Sequence, residues 1–142
     1  MAKIETEFTR MIDVDYPIIG APMFLISYEE LVIAVAEAGG LGAIPLPNFR
    51  TIEDLKHTLK KIREKTDKPI GVNIHTSGKI EWKEQLALCL DAGVKFFITA
   101  KPGKNPRSLF VVKTVPTNVR NTGISTNLDF FEIPAGNEGT KG

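Results

Sequence analysis

The amino-acid sequence predicts an α/β fold in which short parallel strands alternate with helices. Four short, mostly apolar segments begin near residues 17, 41, 70 and 95, and helical patterns separate them. Strands of this kind are typical of a parallel sheet that helices cover on its faces. The 142 residues suffice for one domain with a core of its own.

The first strand and helix come from residues 17–38. Pro17–Ala21 is the strand candidate, and the helix is predicted to begin at Ser27 because SYEE has the capping-box spacing of a hydroxyl residue and a glutamate. The run LVIAVAEA is nearly all apolar, which predicts a buried helix. Gly39 and Gly40 end it. Leu41–Ile44, between that glycine pair and two prolines, is the second strand.

Two further helices and strands follow. Thr51 starts TIED, a second capping pattern, and the helix behind it has one apolar face formed by Ile52, Leu55, Leu59 and Ile62. Ile70–Ile74 (IGVNI) is predicted as the third strand. A helix is expected from about Ile80 to Ala92, ended by Gly93, and Lys95–Thr99 (KFFIT) is the fourth strand.

The alternation stops after residue 100. Residues 101–142 contain four of the nine prolines and no helical spacing of apolar residues, although VVKTV and LDFFEI could each form a strand. We therefore predict a β/α domain over residues 1–108 and a divergent, poorly patterned tail over residues 109–142.

Two architectures fit four strands with right-handed crossovers. One is a (β/α)₈ barrel and the other is a small doubly wound parallel sheet. A complete barrel takes about 250 residues, so length alone favours the doubly wound sheet.

Composition and charge exclude several classes of protein. The formal net charge is +1, from 18 basic and 17 acidic residues, which gives no reason to expect nucleic acid or an anionic membrane as partner. The single cysteine, Cys89, allows no intrachain disulfide, and no apolar stretch approaches the roughly 20 residues of a membrane helix. The N-terminal MAKIETEF is charged and lacks an apolar core, so we do not expect a signal peptide here. We expect a cytoplasmic protein that acts on a small molecule.

The stretch PIIGAPM, residues 17–23, is unusual for the end of a strand. Ordinary strand ends carry polar turn residues, whereas this one ends in small residues, a proline and a methionine. Such residues indicate a backbone that a flat group approaches closely.

Three motifs together resemble one known family. PIIGAPM, AEAGGLGAI and KPIGVNI are similar to the N-terminal half of nitronate monooxygenases (2-nitropropane dioxygenases), FMN-dependent (β/α)₈ barrels related to the flavin-dependent enoyl-ACP reductases. The similarity covers roughly residues 5–108. It implies that the chain carries the first four strands of a TIM-type barrel, apparently truncated, and it favours the barrel over the doubly wound sheet.

The resemblance also implies a cofactor site. Ala21, Pro22 and Met23 would lie beside the ring of FMN at the carboxyl end of the first strand, and Asn73 would hydrogen-bond the flavin through its amide. The implied activity is the oxidation of nitronates with oxygen. An enoyl-ACP reductase-like protein and a non-catalytic truncated fragment are the alternatives. No metal site is expected.

The family's catalytic base is missing from this sequence. The Gly-Gly-His stretch and the Gly-rich phosphate loops of later strands do not occur, so the base is unknown. His75, just beyond the third strand, is a candidate because its side chain could take up a proton near neutral pH, although the family's base comes from a later strand. His57 is predicted to face solvent and Cys89 to lie in the core. Four strands without closing partners would expose two sheet edges, which predicts self-association.

Overall fold

The computed structural model describes residues 2–74, 82–100, 109–114 and 128–133. The elements in chain order are α1 (Glu7–Ile12), β1 (Ile19–Gly20), α2 (Glu29–Glu37), β2 (Leu41–Pro45), a 3₁₀ turn (Leu46–Asn48), α3 (Ile52–Lys65), β3 (Ile70–Ile74), α4 (Trp82–Asp91), β4 (Phe96–Ala100), β5 (Leu109–Thr114) and β6 (Leu128–Ile133). All four predicted strands and the three predicted helices are present, with strand starts within two residues of the predicted positions.

The six strands form one sheet in sequence order, β1-β2-β3-β4-β5-β6. The first four are parallel, and Ala43 lies opposite Gly71, as Asn73 lies opposite Ile98. Strands β5 and β6 are antiparallel, and they correspond to the segments VVKTV and LDFFEI in which the sequence allowed strands. Strands β1 to β4 therefore end at the same edge of the sheet.

The arrangement of the helices is that of a barrel and not of a doubly wound sheet. A doubly wound sheet reverses its strand order at a switch point and carries helices on both faces, whereas β1 to β4 follow one another without reversal. Helices α2, α3 and α4 share one buried cluster on one face, which we call the outer face. Its members include Val32 and Ala36 of α2, Leu55, Leu59 and Ile62 of α3, Cys89 of α4, and Ile44, Val72 and Phe97 of the strands.

Helix α1 packs on the opposite, inner face of the sheet. Its Ile12 is fully buried against Leu41 and Phe96, near the amino-terminal ends of their strands. The helix begins with a capping box in which Thr6 and Thr9 exchange hydrogen bonds, at 3.1 Å and 2.9 Å. The sequence predicts no helix here, because six residues are too few for a clear periodic signal.

One of the two predicted N-caps is confirmed and the other is wrong. The Thr51 hydroxyl accepts a hydrogen bond from the Asp54 N–H at 3.1 Å and caps α3. Helix α2 instead follows Tyr28, which makes no side-chain cap bond. Ser27 is not a cap, because its hydroxyl is engaged in the loop that precedes the helix.

The glycines after α2 end the helix, as predicted, and also allow close packing. Gly39 has φ of +92°, in the left-handed region that glycine enters at low cost. Gly42 lies so close to α2 that a Cβ there would be 2.2 Å from the Val32 carbonyl oxygen. Strand β2 and helix α2 therefore pack backbone to backbone at this point.

The expected exposure of the β4 edge is wrong. Strand β4 pairs along five residues with β5, so the outermost strands of the described sheet are β1 and β6. Self-association through sheet edges stays a prediction, now confined to those two strands. Within the described ranges no helix is long and apolar enough to cross a membrane.

Candidate functional site

The candidate site lies on the inner face at the carboxyl ends of β1 to β3. Helix α1 covers the first part of this face, where Phe8 and Met11 pack on Ala43 and Ile98. Two residues after Ala43 on β2, and on the same face, comes Pro45, which lies opposite Asn73 of β3. In parallel α/β folds, ligands bind at the carboxyl ends of the strands.

Asn73 is the polar residue of this part of the face. Side chains alternate along a strand, and a Cβ at Gly71 would contact Leu41, Ala43 and Ile98, so Asn73 points to the inner face as well. The half-buried Asn73 side chain donates one Nδ2 hydrogen to the Ile98 carbonyl at 3.1 Å. Its Oδ1 accepts no hydrogen bond from any described residue, so the acceptor and one N–H can serve a ligand.

The motif residues Ala21, Pro22 and Met23 follow β1 directly, at the same edge as Asn73. Ala21 is exposed, Pro22 is half-buried, and Met23 exposes 41% of its surface. None of the three side chains is charged. Strand spacing is about 4.8 Å, so two spacings place β1 and β3 about 10 Å apart, which a flat multi-ring group can bridge.

Two polar side chains hold the β1–α2 loop, residues 21–28. The Ser27 hydroxyl accepts from the Met23 N–H at 2.9 Å and donates to the Ala21 carbonyl at 2.8 Å. Asn48, at the end of the 3₁₀ turn, accepts from the Leu25 N–H at 2.7 Å and donates to the Ser27 carbonyl at 3.0 Å. The sequence analysis gave Ser27 another role and missed Asn48.

The loop itself is apolar and partly strained. Phe24, Leu25 and Ile26 expose 60%, 60% and 63% of their surfaces. Leu25 has φ of +58°, which is uncommon for a residue with a Cβ. A strained, exposed and hydrogen-bonded loop next to a strand end is typical of a functional site.

A model of the nitronate monooxygenase family matches residues 5–122, most of the chain. The chain belongs to the nitronate monooxygenase family. The matched region extends past residue 108, where the resemblance read from the motifs ended.

Two curated proteins are similar to parts of this chain. Nitronate monooxygenase of Pseudomonas aeruginosa is 38% identical over 76 residues, which are 52% of this chain and 21% of that protein. A (3aS,4S,5R,7aS)-5-hydroxy-7a-methyl-1-oxo-octahydro-1H-indene-4-carboxyl-CoA dehydrogenase of Mycobacterium tuberculosis is 30% identical over 93 residues, or 66% of this chain and 26% of that protein. The chain thus spans about a quarter of the length of these relatives.

A solved structure supports the barrel architecture. The structure of FabK from Thermotoga maritima superposes with a TM-score of 0.62 at 30% sequence identity, covering 68% of this chain and 30% of that chain. Together with the unreversed strand order, this likeness identifies the sheet as the first part of a TIM-type barrel.

Three other residues considered from the sequence, His75, His57 and Cys89, add nothing to the candidate site that the described residues form. His75 lies outside the described residues. His57 is exposed on α3, as predicted. Cys89 is fully buried in the core, and this burial raises the pKa of its thiol to about 12, so it is no nucleophile at neutral pH. In the described part of the chain, no cluster of three or more His, Cys, Asp or Glu side chains could hold a metal ion.

A cleft lies at the other end of the strands. This cleft of about 360 Å³ is bordered by α1 and the starts of β3 and β4, and charged residues such as Arg10, Arg63 and Asp67 line it. Arg63 is engaged there, since it donates to the Lys68 carbonyl at 3.0 Å. The amino-terminal end of a barrel serves stability rather than catalysis, so this cleft is not the candidate site.

Proposed function

We propose that this chain binds FMN at the carboxyl ends of β1 and β3 and forms the ring-contacting part of a nitronate monooxygenase site. The observation that carries this proposal is Asn73. It is the half-buried amide on the inner face that keeps an acceptor and an N–H for a ligand, beside an uncharged loop. A flat ring with polar edge groups fits that combination.

Each motif residue has a part in holding such a ring. The Asn73 amide would hydrogen-bond a polar edge of the flavin, with its orientation fixed by the bond to the Ile98 carbonyl. Met23 would lay a polarizable thioether against the ring. Ala21 and Pro22 would let the ring approach the backbone, because neither has a long side chain. When bound, FMN supplies the redox chemistry, and the protein supplies binding and orientation.

The proposed substrate is a nitronate, oxidised with oxygen. An enoyl-thioester reductase-like activity is the second candidate, and it is favoured by the relative whose name is a carboxyl-CoA dehydrogenase. We further propose a cytoplasmic location, which the single cysteine supports.

The test is a titration of the purified chain with FMN, followed by visible absorption and by quenching of flavin fluorescence. We expect a flavin band that co-elutes with the protein on size-exclusion chromatography. Asn73→Ala removes the ring's hydrogen-bond partner and should raise the Kd for FMN about tenfold. Met23→Glu places a charge against the ring and should weaken binding further.

The matched control is His57→Ala, an exposed residue of α3 that should leave the Kd unchanged. A chain that takes up no FMN would reject the proposed function. Binding that is equal in the parent, Asn73→Ala and Met23→Glu would reject the assignment of the site. Chain loaded with FMN would then be assayed with a nitronate and oxygen, and with an enoyl thioester and a reduced nicotinamide, to separate the two activities.

A further inference from the structure

We propose that Ser27 and Asn48 are positioning residues of the flavin site. They hold the β1–α2 loop in the one conformation that presents Met23 to the ring, and neither touches the flavin itself. This inference rests on the proposed function for the identity of the ligand. The hydrogen bonds of Ser27 and Asn48 that support it are contacts within the protein and do not depend on the identity of the ligand.

Ser27 forms hydrogen bonds with both ends of the segment Ala21–Met23. Its buried hydroxyl, 1% exposed as a residue, bridges the Ala21 carbonyl and the Met23 N–H. The Ser27 backbone N–H also donates to the Met23 carbonyl at 2.9 Å. The segment Ala21–Met23 is therefore tied to one buried side chain at its first and last residues.

Asn48, which lies after β2, forms hydrogen bonds with the later part of the same loop, at Leu25 and Ser27. Its Oδ1 accepts from the Leu25 N–H and its Nδ2 donates to the Ser27 carbonyl, so one amide bridges the loop and the residue that ties it. The first of these bonds holds the left-handed Leu25 in place. Because Asn48 follows β2, it couples the loop to the strand between β1 and β3.

The loop needs these ties because its own side chains do not hold it. Three consecutive apolar residues, Phe24, Leu25 and Ile26, are each at least 60% exposed. Without fixed hydrogen bonds, such a segment lowers its free energy by folding its apolar side chains onto the nearest apolar surface. A loop that moved in this way would no longer hold Met23 in one position. A preorganised loop avoids this cost on binding.

The experiment compares three variants that each delete a hydrogen-bonding side chain: Ser27→Ala, Asn48→Ala and Thr51→Ala. Thr51 is the matched control, because its hydroxyl also satisfies a backbone N–H, that of Asp54 at the start of α3, but does not contact the loop. Two quantities are measured at a temperature where all three are folded by circular dichroism: the Kd for FMN, and amide hydrogen exchange at Met23 and Leu25.

We expect Ser27→Ala and Asn48→Ala each to raise the Kd about tenfold, and Thr51→Ala to leave it within twofold of the parent. Exchange should accelerate selectively at the Met23 amide in Ser27→Ala and at the Leu25 amide in Asn48→Ala. Asn48 is half-buried, so its variant gives the answer even if Ser27→Ala fails to fold.

Three results would overturn the inference, in distinguishable ways. If the parent binds FMN and both loop variants bind equally well, the positioning role is wrong while the proposed function stands. If Thr51→Ala weakens binding as much as the loop variants do, their effect is general destabilisation and the role is again wrong. If the parent itself binds no FMN, the proposed function fails and the positioning role fails with it.

Discussion

Substituting Gly42 by alanine tests the closest contact between the sheet and its helices. A Cβ at this position would lie 2.2 Å from the Val32 carbonyl oxygen and 2.9 Å from the Val32 Cα, both backbone atoms of α2. The helix would have to move by about 0.8 Å or more before the shortest contact reached 3.0 Å, below which Cβ contacts are essentially never seen. Val32 and Ala36, each 1% exposed, would lose packing against the sheet.

Overpacking of this kind costs about 2–3 kcal/mol. For a chain of 142 residues this loss lowers the melting temperature by about 6–10 °C. The assay is thermal unfolding followed by circular dichroism, with urea unfolding to obtain the free energy of unfolding.

The matched control is Gly71→Ala on the neighbouring strand β3. A Cβ there would contact only side chains, those of Leu41, Ala43 and Ile98, at 3.4 to 3.5 Å, which is ordinary van der Waals distance. Because alanine restricts the unfolded chain, this variant should gain about 0.4–1 kcal/mol. If Gly42→Ala melts within 1–2 °C of the parent, or if Gly71→Ala is the more damaging change, the deduced packing of α2 on β2 is wrong.

Two further predictions concern titratable groups. Burial raises the pKa of the Cys89 thiol to about 12. The thiol of the folded chain should therefore not react with a thiol reagent at about pH 8, and it should react after unfolding. Reaction of the folded chain would place Cys89 outside the core. Lys61 donates a 2.9 Å hydrogen bond to Glu29, which lowers the pKa of Glu29 below its ordinary 4.5. This ion pair between α3 and α2 therefore stabilises the fold above pH 4.5. The stabilisation is lost as the pH falls through the pKa that Glu29 has in the folded chain. Glu29→Gln should therefore have a lower melting temperature than the parent at pH 7, and this difference should vanish well below pH 4.5. The control is Glu64→Gln, at an exposed ion pair, which should show neither effect. A difference for Glu29→Gln that persists in acid would contradict the stabilising role of the ion pair.

The sequence predicted the β/α elements well because each has a local signal. The helix at Thr51 has its cap and its apolar face within a few residues of each other, and the backbone forms that cap. Helix α2 ends before Gly39, whose φ is positive. Glycine adopts a positive φ more readily than other residues, so the identity of this one residue predicts the helix end. The barrel architecture needed the family resemblance as well, because four βα units by themselves fit two architectures.

The parts that the sequence did not predict depend on contacts distant along the chain. Ser27 has the spacing of a helix cap, but its hydroxyl is already engaged by Ala21 and Met23, and those bonds decide its role. Asn48 contacts residues more than twenty positions earlier, so no local pattern reveals it. The six-residue α1 is too short for a clear periodic signal, and its burial comes from the sheet that it covers.

The pairing of β4 with β5 links the tail of the chain to the candidate site. Strand β4 supplies the Ile98 carbonyl that orients Asn73, and five of its residues pair with the antiparallel β5. Deleting residues 109–142 would leave β4 as an unpaired edge, so we expect faster amide exchange along β4, larger species on size-exclusion chromatography, and weaker FMN binding. Deleting residues 134–142 alone keeps both strands of the hairpin and is the control. If the 1–108 chain stays monomeric with β4 amides as protected as in the parent, β4 holds the Ile98 carbonyl in place without the hairpin, and the hairpin contributes nothing to the site.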